Sequence, residues 1–242
     1  MIKRVNLLFL IIFTLSSATN AAGQEYFNGN FLMSFKTSMS PNRDFPLLWN
    51  IEKEMEGGQM VLEIQDDMLK KGVSKRVLFN PNDSTWIMMM QYNQVKQGTK
   101  IHAAKMFNDT IKPELFKIKK TKEKRNVSGH VCKKIILTSD KYISEVWTTE
   151  ELKLNLSYIY KLLSHCGLMS EFVRNGDWYK FNKINGMILE VTSKNKSTDE
   201  SYTMSISEIK TGVINNTFFS INGFLISDIP EGQNCGVKVT EK

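Results

Sequence analysis

The chain has 242 residues, 41% hydrophobic and 24% charged, with a formal net charge of +7, three cysteines and three histidines. Cys132, Cys166 and Cys235 lie far apart without C-x-x-C spacing, which excludes a zinc ribbon and a thioredoxin-like redox motif. Beyond the N-terminus no run is apolar enough for a membrane-spanning helix, which needs roughly 20 such residues, since Trp86–Met90 and Phe218–Ile229 are interrupted by polar residues or glycine.

Met1 to Gly23 has the layout of a secretory signal: Lys3 and Arg4, an apolar run from Leu7 to Leu15, then small residues from Ser16 to Gly23. Cleavage is expected after Gly23, with Ala21 and Ala22 as alternatives, and residues 24–242 then form one β-rich domain. The mature protein is expected to be periplasmic or secreted. In such a compartment a disulfide is permitted, but three pairings of the cysteines exist and the sequence does not choose between them. Cys132 sits in an apolar strand pattern and reads as a buried small hydrophobe.

The mature chain opens on a two-residue alternation, with Phe31, Met33, Phe35, Thr37 and Met39 on one side and Leu32, Ser34, Lys36 and Ser38 on the other, which predicts a half-buried strand. A looser stretch with Pro41 and Pro46 follows, then Gly57-Gly58 turns into Met60, Leu62 and Ile64. Val77–Phe79 and Trp86–Met88 flank a turn-rich loop, Asn80 to Ser84, and predict a hairpin. Next comes the basic run Lys117, Lys119, Lys120, Lys122, Lys124 and Arg125, broken by Glu123 alone. It reads either as a solvated hairpin or interstrand loop, which is preferred, or as a patch for anionic head groups or acidic glycans. Nucleic acid is not expected as a partner, because no aromatic residues interleave with the lysines.

Gly129 leads into a strand from Val131 to Leu137, and Ser139-Asp140-Lys141 turns the chain into Ile143–Thr148. Leu156, Ile159, Tyr160 and Leu163 repeat at helical spacing with Gly167 at the capping position, so one helix of about three turns is expected to cover the sheet. Met187–Val191 and Tyr202–Ile209 form a last hairpin, and Phe218 to Leu225 reads as an apolar tail strand. The fold expected is mainly β with minor α: a curved antiparallel sheet with a helical lid, and Lys119–Ser128 as its one soft boundary.

Gly129-His130-Val131-Cys132-Lys133-Lys134 and Glu145-Val146-Trp147-Thr148-Thr149-Glu150 resemble the core of the bacterial domain-of-unknown-function 4412 family. Lys75–Phe79 with Trp86–Met90 resembles that family's preceding hairpin, and Gly186–Glu190 its next strand, so the resemblance spans Phe31 to Lys210. It implies an exported protein of Bacteroidetes-type bacteria, shaped like the half-barrel of the lipoprotein carriers, a LolA-like fold. Ile226–Gly232 is similar to the Pro-Gly ending of such half-barrels, whereas Phe218–Leu225 has no assigned place in the pattern. The resemblance implies no reaction.

Catalytic signatures are sparse. His102, His130 and His165 lack partners at metal-ligand spacing, no G-x-S-x-G or phosphate-binding loop occurs, and His165-Cys166 are neighbours whose side chains diverge. Asp66-Asp67 and Glu150-Glu151 are adjacent pairs that point apart on a strand. Glu145, Ile143 and Trp147 share a face, either as ligand contacts or as the solvated side. Met88-Met89-Met90 cannot converge on one copper ion, so methionine here reads as adaptable apolar lining. Correct register would place Met33, Phe35, Met60, Leu62, Trp86, Met88, Met187 and Leu189 on one side, and with Trp147 these are the expected ligand contacts. The function expected is a non-catalytic exported protein holding an apolar or amphipathic ligand such as a lipid, without cofactor or metal; the alternative is an envelope assembly module with a protein partner.

Overall fold

The computed structural model describes residues 27–38, 47–51, 60–64, 72–80, 85–102, 116–154, 159, 184–198 and 200–229. The stretch read as a signal peptide and both Cys166 and Cys235 fall outside the described residues. Twelve strands form one open, curved sheet: β1 (Gly29–Thr37), β2 (Leu47–Ile51), β3 (Met60–Ile64), β4 (Val73–Asn80), β5 (Thr85–Tyr92), β6 (Val95–His102), β7 (Lys117–Val127), β8 (His130–Thr138), β9 (Tyr142–Thr149), β10 (Met187–Asn195), β11 (Ser201–Thr211) and β12 (Leu225–Ile229). Their spatial order is β12-β6-β5-β4-β3-β2-β1-β11-β10-β9-β8-β7.

The first strand thus lies in the middle. It pairs antiparallel with β2 on one side and with β11 on the other, joining two meanders, and β12 then adds to β6 as the one parallel pair among the described residues. Local chemistry fixes the turns. Ser128 and Gly129 both take positive φ, 51° and 88°, the two-residue geometry that follows the natural strand twist and joins β7 to β8. Register shifts interrupt β1/β11, β9/β10 and β7/β8. Such bulges deepen twist and bend a sheet.

Strand alternation places Phe31, Met33 and Phe35 of β1, Leu47, Trp49 and Ile51 of β2, and Met60 and Leu62 of β3 in one large buried core. Leu152, Leu154, Ile159 and Ile184 from the β9–β10 connection belong to the same core and cover part of this inner face. The helical lid is not supported: of the helix expected between Leu156 and Leu163 only Ile159 is described, and the one helical element described in full is a 3-10 turn, Asn216–Phe219, on the other face.

That turn resolves the apolar tail, which is not a strand from Phe218. Asn215 accepts a hydrogen bond from the Thr217 amide (3.0 Å) and starts the turn. Ile214 and Phe219 then pack with Val61, Leu78 and Met89 into a second, small core on the outer face of β3–β5, joined by Ile87, Phe218 and Phe224. Arg76 donates to the Phe218 carbonyl (3.3 Å) and its guanidinium lies over the Phe224 ring. Past this crossing the chain pairs with β6, where Gly98 leaves the space filled by the Ile226 side chain.

The basic run is the solvated arm of a hairpin with β8, as one of its two preferred readings has it. It is neither a loop nor a boundary but the eleven-residue edge strand β7, exposed along almost its whole length. An edge strand has no second neighbour to hide its side chains, so it needs no apolar alternation, and lysine there discourages strand addition.

Phe219→Ala should lower stability by about 3 kcal/mol, the usual cost of emptying a buried aromatic site. A urea midpoint equal to that of the wild type would show that the 213–224 segment does not hold the outer face.

Candidate ligand-binding face

The register arranges inner-face side chains of β2 to β6 in parallel rows. One row runs Ile51, Met60, Phe79, Trp86 and Ile101, and all five are buried. The next runs Trp49, Leu62, Val77 and Met88; the first three are buried, while Met88 is 39% exposed. Beyond it, Met90 pairs with Gln97 and Tyr92 with Val95, and exposure rises to 48% for Met90, 53% for Tyr92 and 56% for Val95. The wall is therefore sealed at one end and opens as apolar rows on the β5–β6 hairpin.

Of the nine side chains singled out from sequence, Met33, Phe35, Met60, Leu62, Trp86, Trp147, Met187 and Leu189 lie packed in the large core. The bulge between Ile188 and Glu190 allows Met187, Ile188 and Leu189 to be buried in succession. Met88 is the single one in the open rows. Met90, Tyr92 and Val95 were missed, although Met90 and Tyr92 continue the alternation of Trp86 and Met88; β6, reading Val-Lys-Gln-Gly-Thr-Lys, gives no apolar period to recognise.

Trp147 is buried in the same large core. It alternates with Val146, which pairs with Ile135 and Val191, whereas Trp147 pairs with Lys134 and Glu190 on the opposite side. The Arg125 guanidinium lies 4.1 Å from its ring centroid and bonds Glu190. Lys134 bridges Glu145 (3.0 Å) and Glu123 (3.4 Å), and its ammonium is held above its usual range chiefly by the Glu145 hydrogen bond. Glu145 and Ile143 are exposed on this charged face, while Trp147, buried in the large core, is covered there by the Arg125 cation and its ion pair.

Two buried donors stand out on the inner face. Among the described residues Trp49 Nε1 and Trp86 Nε1 have no hydrogen-bond partner. An unsatisfied buried donor costs about 1–3 kcal/mol, so either indole would gain from an acceptor oxygen brought into the face. Titratable pairs lie elsewhere: His130 with Glu151 (2.8 Å), His102 with Asp228 (3.0 Å) and Lys133 with Glu150 (3.1 Å). Glu151 also accepts from the Val131 amide, and these bonds, that from His130 first, hold its carboxyl below the usual range. Among the described residues no group of three His, Cys, Asp or Glu side chains could hold a metal.

Cys132 is a free, fully buried thiol, as its apolar strand pattern predicts. Burial, with the Glu151 charge adding, pushes it up to about 11.

A broad open sheet of mainly antiparallel strands, sealed over the middle of one face and apolar at one open end, defines the class as a β-sheet scaffold with a graded inner wall. The chain belongs to the DUF4412 family, a domain of unknown function, whose model matches residues 32–222. The match extends past Lys210 and includes the outer-face residues Ile214, Phe218 and Phe219. No curated protein matches. Among solved structures the chain is similar to PNGF-II in two crystal forms, P21 and C2, each at 15% identity and a TM-score of 0.39. The alignments cover 83% and 84% of this chain but 32% and 31% of PNGF-II, so this chain spans about a third of that protein's length. A DUF1329 family protein from Desulfovibrio piger is similar at 10% identity and a TM-score of 0.22, over 88% of this chain and 95% of that one. Likenesses this distant assign no function.

In a Cys166→Ser/Cys235→Ser variant, iodoacetamide should alkylate Cys132 at pH 8 about a hundredfold more slowly when folded than in urea, because the thiolate is scarce and inaccessible. Equal rates would contradict the burial. The raised value means that the folded state loses stability only as pH climbs from 9.0 toward about 11, with no contribution below.

Proposed function

We propose that this chain is an exported, non-catalytic binding protein that holds an apolar or amphipathic ligand, such as a lipid, along the open end of its inner wall. The observation that carries this reading is the run of exposed apolar side chains Met88, Met90, Tyr92 and Val95, continuous with the buried rows behind it. Water-exposed apolar area in a concentrated patch favours an apolar partner, and the two unpartnered indoles behind it could bond an ester or carboxyl oxygen. The curved sheet would act as a half-barrel in the manner of the lipoprotein carriers. Export is supported by the signal-like N-terminus, and the lack of catalysis by the placement of the described ion pairs on the charged face and the sheet edges. The ligand contacts move, on this reading, from the packed positions of the core to the rows that Met88 begins.

The packing of eight of the nine expected contacts favours a second reading, in which the wall is a filled scaffold that binds another envelope protein. Native mass spectrometry of gently purified protein separates the two. A retained acyl-chain ligand is expected, and Met88→Asp/Met90→Asp, at side chains the core does not need, should weaken binding of a fluorescent fatty acid by about tenfold or more. Protein that is always empty and ignores added lipid would overturn the proposal, and a co-purifying polypeptide with no lipid would establish the second reading.

A further inference from the structure

Strand β7 exposes Lys117, Lys119, Lys120, Lys122 and Lys124 along one free edge of the sheet. The neighbouring cations are engaged: Arg125 with Glu190 and the Trp147 ring, Lys133 with Glu150, Lys134 with Glu123 and Glu145. The five lysines are not. None of their ammonium groups makes a hydrogen bond or ion pair with a described residue, and Glu123, the one acidic residue of β7, is taken by Lys134.

Residues in a strand are spaced about 3.3 Å apart and alternate between faces, so the five lysines line roughly 25 Å of the edge, with Lys119 and Lys120 directed to opposite faces. Their fields add, and their mutual repulsion is not offset by carboxylates within the fold. One or two lysines protect an edge; five unpaired ones between Lys117 and Lys124 suit an extended negative partner. We infer that β7 is a docking rail for an anionic membrane surface.

Three features favour a bilayer over other polyanions. The rail uses lysine, a hydrated point charge suited to a smeared head-group field, where recognition of discrete phosphates favours the guanidinium fork. No aromatic side chain alternates with the lysines, as stacking of bases or sugar rings requires. An exposed aliphatic side chain accompanies the charges: Ile143, whose partner Thr138 pairs with Lys117, so that it shares the face of Lys117 and Lys119. An interfacial layer accommodates such side chains between its head groups.

The inference goes beyond ligand holding and stands or falls separately, because β7 and the β5–β6 hairpin lie toward opposite edges of the sheet. Flotation of the purified protein with phosphatidylcholine vesicles, with or without phosphatidylglycerol, tests it. Binding is expected with the anionic vesicles alone, is lost at high salt, and weakens about fivefold for each Lys→Gln substitution on β7. The quintuple Lys→Gln variant, shown to be folded by circular dichroism and thermal melting, should not float. Equal recovery with neutral and anionic vesicles, or undiminished binding by the quintuple variant, overturns the inference. So does retention on heparin or single-stranded DNA without vesicle binding, which would assign the rail to another polyanion. Aggregation of the variant, when the wild type never bound vesicles, would reduce the lysines to edge protection.

Discussion

Pairing of β1 with β11 is the constraint on which the architecture depends. Strands β2 to β6 make one meander and β7 to β11 another, and each is joined to the other through β1 alone. The two partners are separated by more than 160 residues in sequence, so most of the chain is in hand before the joint can close, and its closure entropy must be met by burial. Burial is available there. Met33 faces Leu47 and Ile206, and Phe35 faces Met204, all of them buried, each worth about 1.5–3 kcal/mol as it leaves water.

From that joint the inner wall runs in both directions and changes character. Toward β9 it continues through Met204, Val191 and Val146 to Ile135, covered by residues of the β9–β10 connection. Toward β6 it is sealed as far as Trp86 and Ile101 in one row and gives way to open apolar side chains in the next. The outer face is divided as well, between the small core under the 213–224 segment and the Arg125–Trp147–Glu190 cluster, so one sheet buries side chains on both faces where segments cross it. Its two edges differ: β7 is long and basic, whereas β12 is short, parallel and tethered through His102 and Asp228.

Alternation made β1, the β4–β5 hairpin, β8–β9 and β10–β11 legible, because each buries one face and the pattern Phe31, Met33, Phe35 is a direct consequence of that. Strand β2 carried the same signal in Leu47, Trp49 and Ile51 but followed Pro46 and is only five residues long. β6 and β7 were illegible for a physical reason: polar side chains dominate wherever a strand is flanked by an edge or by open space. The candidate contacts were legible as apolar, not as open or closed. Alternation separates Trp147 from Val146 without revealing that both are buried in the large core, and nothing local to Met60 or Met88 reveals that neighbouring strands bury one and expose the other. The family resemblance reached Lys210 and missed the closing segment, since Ile214, Phe218 and Phe219 follow the irregular spacing of a 3-10 turn rather than a strand period.

The account turns on a wall whose greasy side chains are sealed in the middle and wet at one end, and methionine is a natural reporter of that difference because its thioether oxidises where peroxide can reach it. Brief hydrogen peroxide treatment of the folded protein, followed by peptide mass spectrometry, reads each site. Met88 and Met90 should oxidise rapidly, with Met33, Met60, Met187 and Met204 protected and Met89 shielded beneath the outer-face segment. Oxidation of Met33 and Met204 as fast as Met90, or protection of Met88 and Met90 equal to that of Met33 in ligand-free protein, would contradict the graded wall.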